Sequence, residues 1–259
     1  CNSLSLPVDL ENSRRRIAET VEVGTLDQLT DGGINFQGVH DMEHILIRCL
    51  KGGVASGEDL LQVANTLGAV RRLRRQVEEP LVRPFISALF VDLATLPELE
   101  KLLKFGIEEG GRVADRASDK LRALRNKWQA MRVERRVVLQ DLIRRKGSVL
   151  QDTAIADRNS RPVLALKAGA VDQIPGIVHG SSASGNTIFL EPQVVIPLGN
   201  RINSIESEVA IEEHRLLSEW SGVVKDHYVP LEHLARVILE LDMAFARARF
   251  GHWLGGVPP

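Results

Sequence analysis

Ala117, Leu121, Leu124, Trp128, Met131, Val138, Leu142 and Val149 recur at alternating steps of four and three residues, and only Arg135 and Arg145 interrupt the series. A repeat of that kind keeps one face of a helix apolar over roughly 50 Å at 1.5 Å per residue. An apolar stripe that long must be covered. The chain offers a second seam to cover it: Leu198, Ile202, Ile205, Val209, Leu216 and Val223, with Glu212 and Glu219 as its breaks. Two seams in one chain predict an antiparallel coiled-coil hairpin carrying an insert at its tip. Setting Val149 opposite Leu198 puts Arg135 opposite Glu212, so that the charged interruptions meet.

The insert has a different character. "RPVLALKAG", "IPGIVHGS" and "NTIFLEPQVVI" are short β-leaning runs punctuated by Gly, Pro, Ser and Asn, which predict a small structure of three or four strands. The flanks read as helices. Leu6 to Glu22 and Gly38 to Lys51 are short helical stretches broken by "TDGGINFQG". Ser56 caps the next, with Glu58 and Asp59 in its first turn, and Thr95 caps another with Pro97 in its first turn. Val229 to Trp253 is a last helix, returning toward the first ones. The fold class expected is mainly α. It comprises a helical core over 1–111, an ascending helix over 112–156, a small β element over 157–197, a descending helix over 198–228 and the returning helix over 229–259.

Composition supports this division. Aromatics make up 4% of the chain, with a single Tyr, which disfavours an all-β sandwich. From Arg112 to Lys167 there are 15 Lys and Arg against 6 Asp and Glu, so a basic patch sits mid-chain although the net charge is only -1. Cys1 and Cys49 make no disulfide framework, and a reducing compartment is the better expectation. The chain shows no apolar run of membrane-spanning length, and no signal peptide is expected in it. A first residue that is not Met and a "GGVPP" ending read as the cut ends of a longer protein.

Two motifs invite chemistry and fall short of it. Gly180 to Thr187 reads G-x-x-x-x-G-N-T, one residue away from a phosphate-binding loop. Asn186 stands where that loop needs its Lys, and the next residues form a β pattern ending at Pro192 rather than a helix whose N-terminus could face the anion. A turn whose glycines supply positive φ is the better reading. "HDMEH", His40 to His44, fits the H-x-x-E-H pattern of inverted zinc peptidases, but with three fixed residues it reads as a surface helix that Asp41 caps. The basic stretch says more. Arg122, Arg125, Lys127, Arg132, Arg136, Arg144 and Lys146 lie mostly off the heptad seam and lead toward Arg158, Arg161 and Lys167 in the insert, as expected of an arm that contacts DNA or RNA. With Phe189 as the insert's only aromatic residue, base stacking on single strands is not expected.

The insert also carries a family likeness. "RPVLALKAGAVDQIPGIVHGSSASGNTIFLEPQVVIPLGNRI" resembles a signature of the second branch of the MutS family (MutS-two), bacterial and plastid relatives of the mismatch-repair ATPase. Arg161, Val163, Lys167, Ile174 to His179, Ser182 to Gly185, Thr187, Phe189, Glu191 and Pro192 fall on its motif. "DMEHILIRCLKGGVASGEDLLQVANTL" is similar to an upstream family segment in which His40, Glu43 and His44 are not ligands. "LELDMAFARARF" resembles the helix that precedes the family's ATPase domain.

The resemblance implies a helical core, a lever and a β-containing clamp at the lever's end, in a protein that dimerises through ATPase domains. It implies a large nucleic-acid target: branched DNA in the suppression of recombination, or collided ribosomes in their rescue. On that reading Arg158, Arg161, Lys167, His179, Ser184 and Asn186, with Arg144 and Lys146, are the phosphate contacts. ATP and magnesium would belong to an ATPase domain that this sequence does not contain. The chain itself is expected to hold no cofactor or metal and to have neither ATPase nor Smr-type nuclease activity. The bacterial cytoplasm, or alternatively a plastid, would be its setting. A purely structural lever that transmits ATPase motion, with no target contact of its own, is the competing expectation.

Overall fold

The computed structural model describes residues 9–256. Cys1 and the predicted helical start at Leu6 lie outside them. The chain divides into two units, residues 1–117 with 216–259 and residues 118–215.

The first unit is helical. Helix α1 (Leu10–Leu29) starts at Asp9, whose carboxylate accepts the Asn12 amide at 2.7 Å. It runs past the expected stop at Glu22 because its apolar side continues: Val23 and Leu26 are buried, and α8 (Tyr228–Trp253) packs along it. The two helices lie close at Gly24, where a Cβ would make an ordinary contact with that of Ala248 at 3.5 Å. The last helix lies against the first. It is fixed by a fork of Arg249 on Asp27, with both contacts at 2.8 Å, and by an edge-to-face pair of Phe36 and Phe245. Asp27, held by Arg249, titrates below the ordinary carboxylate range.

Helix α2 spans Glu43–Leu50 and begins later than the sequence suggested. Gly38 takes a φ of +89°, outside helical geometry, and Met42 rather than Asp41 holds the cap position, without a side-chain bond. Helix α3 (Gly57–Val77) has the expected cap in its full form: Ser56 accepts the Asp59 amide while Asp59 accepts that of Ser56. Short helix α4 (Pro84–Ala88) precedes α5 (Pro97–Gly106), where Leu96 takes the cap position expected of Thr95 and Pro97 opens the helix as read.

The second unit contains helix α6 (Asp119–Lys146), a four-stranded sheet and the start of α7 (Ile196–Asp226). The ascending helix expected over 112–156 is therefore shorter, because Gly147 follows Lys146 and residues 150–158 become a strand. Contacts between α6 and α7 do run antiparallel, Ser118 to Glu212 at 2.8 Å and Trp128 to Glu206 at 2.8 Å. The register is not the expected one. Arg135 does not face Glu212; the pairing is displaced by about two heptads, a slip to which a seven-residue repeat is blind. The last turns of α6 have other work: Leu139 is buried under the sheet, with Val138, Leu142 and Ile143 beside it.

The strands are β1 (Leu150–Arg158), β2 (Arg161–Lys167), β3 (Gly176–Ser181) and β4 (Thr187–Pro192), in the antiparallel order β1-β2-β4-β3. Central β2 is almost wholly buried, and Leu164, Leu166 and Leu190 pack with Leu139, Val149 and Val195. Asn159 and Ser160, both at positive φ, join β1 to β2 in a two-residue turn whose twist matches the strands. β1 carries two register shifts, and β3 carries one between Val178 and Gly180. Among the described residues no helix is long and apolar enough to cross a membrane.

Candidate nucleic-acid interface

Register on the sheet decides which of the sequence-predicted contacts can act together. Lys167 pairs with Thr187 at one end of β2, next to the β3–β4 turn, which brings Lys167, Ser184 and Asn186 to the same end. All three are exposed. Lys167 Nζ donates to the Ser148 carbonyl at 2.8 Å, and the Asn186 carbonyl accepts the Ala168 amide at 3.1 Å. Ser184 Oγ lies 3.3 Å from that of Ser182. Arg144 and Lys146 are exposed in the last turn of α6, two to four residues before Ser148, where cations favour the negative end of the helix. Arg144 is paired with Asp141 at 2.6 Å, Arg145 pairs with the same side chain, and that carboxyl is held below its ordinary range.

Arg158 and Arg161 flank the turn at the other end of β2, about 20 Å away at roughly 3.3 Å per residue. Arg158 is exposed, its guanidinium 4.5 Å from the centroid of the Phe189 ring. Arg161 is turned inward. It donates to Glu191 at 3.4 Å and to Asn200 at 2.9 Å, and Gly199 leaves the space it uses, since a Cβ there would come within 2.8 Å of its guanidinium. His179 sits at the β3 bulge with Nε2 3.0 Å from the same Glu191 carboxylate, which is 2% exposed. The eight predicted residues therefore form no single cluster. Lys167, Ser184 and Asn186 share one end of the sheet, Arg158 stands at the other, and Arg161 and His179 are joined through Glu191.

Glu191 falls within the family motif, and the sequence alone assigns it no role. The signal available was a lone acid in an apolar strand, "TIFLEP", which has to find donors if it is buried.

The glycine-rich loop is a hairpin turn. Gly185 takes a φ of +72° and its amide donates to the Ser182 carbonyl at 2.9 Å, while Ser182 Oγ accepts the Thr187 amide at 3.1 Å. The expected role of its glycines, supplying positive φ, is what the backbone shows. At the other motif His44 Nε2 lies 3.8 Å from Asp59, and the His40 amide donates to Thr66. Among the described residues no group of three or more His, Cys, Asp or Glu converges as metal ligands would.

Similarity to known proteins adds to this geometry. No protein-family model matches the chain. It is 40% identical over 253 residues to the protein named Endonuclease MutS2 of Synechocystis sp., covering 98% of this chain and 31% of that relative. The proteins of the same name from Geobacillus thermodenitrificans and Clostridium perfringens (strain SM101) are 33% and 32% identical over 257 and 233 residues, 97% and 88% of this chain. The chain spans about a third of the length of the curated relatives it matches. Likeness of this extent, over nearly every element described above, supports the MutS2 family.

Proposed function

We propose that this MutS2-like chain is the core, lever and clamp portion of an ATPase that engages a large nucleic-acid target. The carrying observation is the second unit. Arg158, Lys146 and Lys167 are exposed around a small four-stranded sheet, in a chain whose relatives bear the name of a nuclease of the MutS class. In this reading α6 and the start of α7 form the lever, a short antiparallel coiled coil, and the four strands form the clamp. Lys167, Ser184 and Asn186 meet the phosphate backbone at one end of the sheet and Arg158 at the other, with Arg144 and Lys146 alongside. Contacts of this type position a protein on nucleic acid without reading its sequence. The target is branched DNA or a ribosome. ATP, magnesium, any nuclease centre and the contacts of a homodimer belong to the remainder of the protein.

A second reading draws on Glu191. Arg161 and His179, two of the six residues expected in the insert as contacts, are used inside the protein. This favours a lever that transmits motion and leaves target contact to other parts. One titration separates the readings: the chain against a branched duplex and against ribosomes, at low and at moderate salt. Binding that weakens with salt, and weakens further in Lys167→Glu, supports the clamp. Absence of binding to both at low salt supports the structural lever, and an unchanged affinity in Lys167→Glu removes Lys167 from the interface.

A further inference from the structure

Apart from the eight residues taken as phosphate contacts, a concave surface of about 520 Å³ lies where α6 faces β1 and β2. Arg132, Arg135 and Arg136 line it together with Leu139, Ile155 and Pro162. Arg132 lies one turn before Arg135 and Arg136 on the same helix; like charges at that three- and four-residue spacing repel one another and are usually answered by carboxylates. Arg125, Arg144, Arg145 and Arg161 of the same unit are answered in that way. These three make no ion pair among the described residues. Arg132 instead lies over the Trp128 ring at 4.4 Å from its centroid. Arg135, the seam's charged interruption, is half-buried, and burial followed by the neighbouring Arg132 pushes its guanidinium below the ordinary value. Asp157, Glu206 and Glu191 attract it only from beyond ion-pairing distance. No buried side-chain nitrogen among the described residues goes without a hydrogen bond, so the unpaired donors of Arg135 open to solvent.

We propose that this groove is a phosphate-binding site in which Arg132, Arg135 and Arg136 hold the anion while Ile155 and Pro162 receive the sugar attached to it. Guanidinium forks match the geometry of phosphate oxygens, and an anion would relieve both the mutual repulsion and the partial desolvation of Arg135. A solely cationic cleft would suit any anion; the apolar wall opposite favours a sugar phosphate. That the sugar phosphate belongs to a nucleic-acid backbone rests on the function proposed above, whereas the anion site itself does not.

The test uses the 259-residue chain with two probes, a fluorescein-labelled duplex oligonucleotide and tripolyphosphate. Anisotropy gives the affinity for the first as a function of salt. The arginine Nε–H resonances report the second. Arg135→Gln is expected to weaken the oligonucleotide by about five- to tenfold, and Arg132→Gln with Arg136→Gln to lower the salt slope by about two, at about 0.9 per lost phosphate contact. Arg145→Gln, outside the groove and paired with Asp141, should leave both unchanged. Arg136→Gln, at an exposed position, guards against a folding defect in Arg135→Gln. If tripolyphosphate shifts the Arg135 resonance while no duplex binds, the anion site stands and the nucleic-acid reading falls. If neither probe distinguishes Arg135→Gln and Arg136→Gln from the parent chain, the proposal is overturned.

Discussion

Glu212 is a charged break in an apolar seam, and replacing it by Gln measures what the break contributes. The residue is 2% exposed and receives Arg215 at 2.8 Å, Ser118 at 2.8 Å and Lys120 at 3.1 Å. The bond from Arg215, opposed by burial and aided by Ser118 and Lys120, brings its carboxyl from 4.5 down to about 2. That difference corresponds to about 3 kcal/mol in favour of the folded, ionised form. Lys120 and Arg215 are 63% and 54% exposed, so water screens much of their share, and about 1–2 kcal/mol is the expected loss in Glu212→Gln at pH 7. The sign comes from the direction of the shift. A carboxyl held lower in the folded chain than in the unfolded one stabilises fully above about pH 4.5 and loses that effect as pH falls toward about 2. Urea unfolding of both chains, repeated from pH 7 down to pH 3, should show a stability gap that is constant above pH 5 and narrows below it. A gap that stays the same through that range would mean the carboxylate's charge is not what stabilises the pair of helices, and the reasoning would fail.

Other consequences are open to simpler checks. Leu164→Ala should cost about 2–5 kcal/mol, since the side chain is fully buried in the cluster that joins the sheet to Leu139. Hydrogen exchange should then rise through β2 and β4 while the helices of the first unit keep their protection; uniform acceleration would refute a separate core for the sheet. Burial pushes the Cys49 thiol up, so a disulfide reagent at pH 8 should modify Cys49 only after denaturant is added. Rapid reaction of both thiols in the native chain would contradict that.

What could be read in the sequence were features whose cause is local. The capping box at Ser56 needs only residues three apart, and the turn at Gly185 needs only a glycine at positive φ. The heptad seams found the right helical faces for the same reason, with Leu121, Leu124, Ile202 and Ile205 all buried. Their pairing was not legible. A seven-residue repeat fits itself at every seventh position, and the end of α6 is taken by Val149, Leu164 and Val195, residues outside that helix. β1 was missed because most of its side chains are exposed, so no apolar alternation marks it. At the candidate site, charge located the basic region. It could not tell Arg158, which is exposed, from Arg161, which is committed to Glu191 and Asn200. That distinction depends on a strand partner thirty residues away in the chain.

The strand order has a further consequence, for self-association. With β2 and β4 in the middle, the outer sides of β1 and β3 expose backbone donors and acceptors that a second copy could extend. β3 also exposes Ile177 and Val178, the side chains that would make such an extension sticky. Both outer strands are irregular, β1 at two places and β3 at His179, so neither offers a straight run of pairing positions. In β3 the residue at that irregularity is tied by its ring to Glu191. The contact that withdraws a histidine from the surface lies at the bend in that edge, and a substitution of His179 is expected to be felt first as a tendency of the purified chain to form fibres.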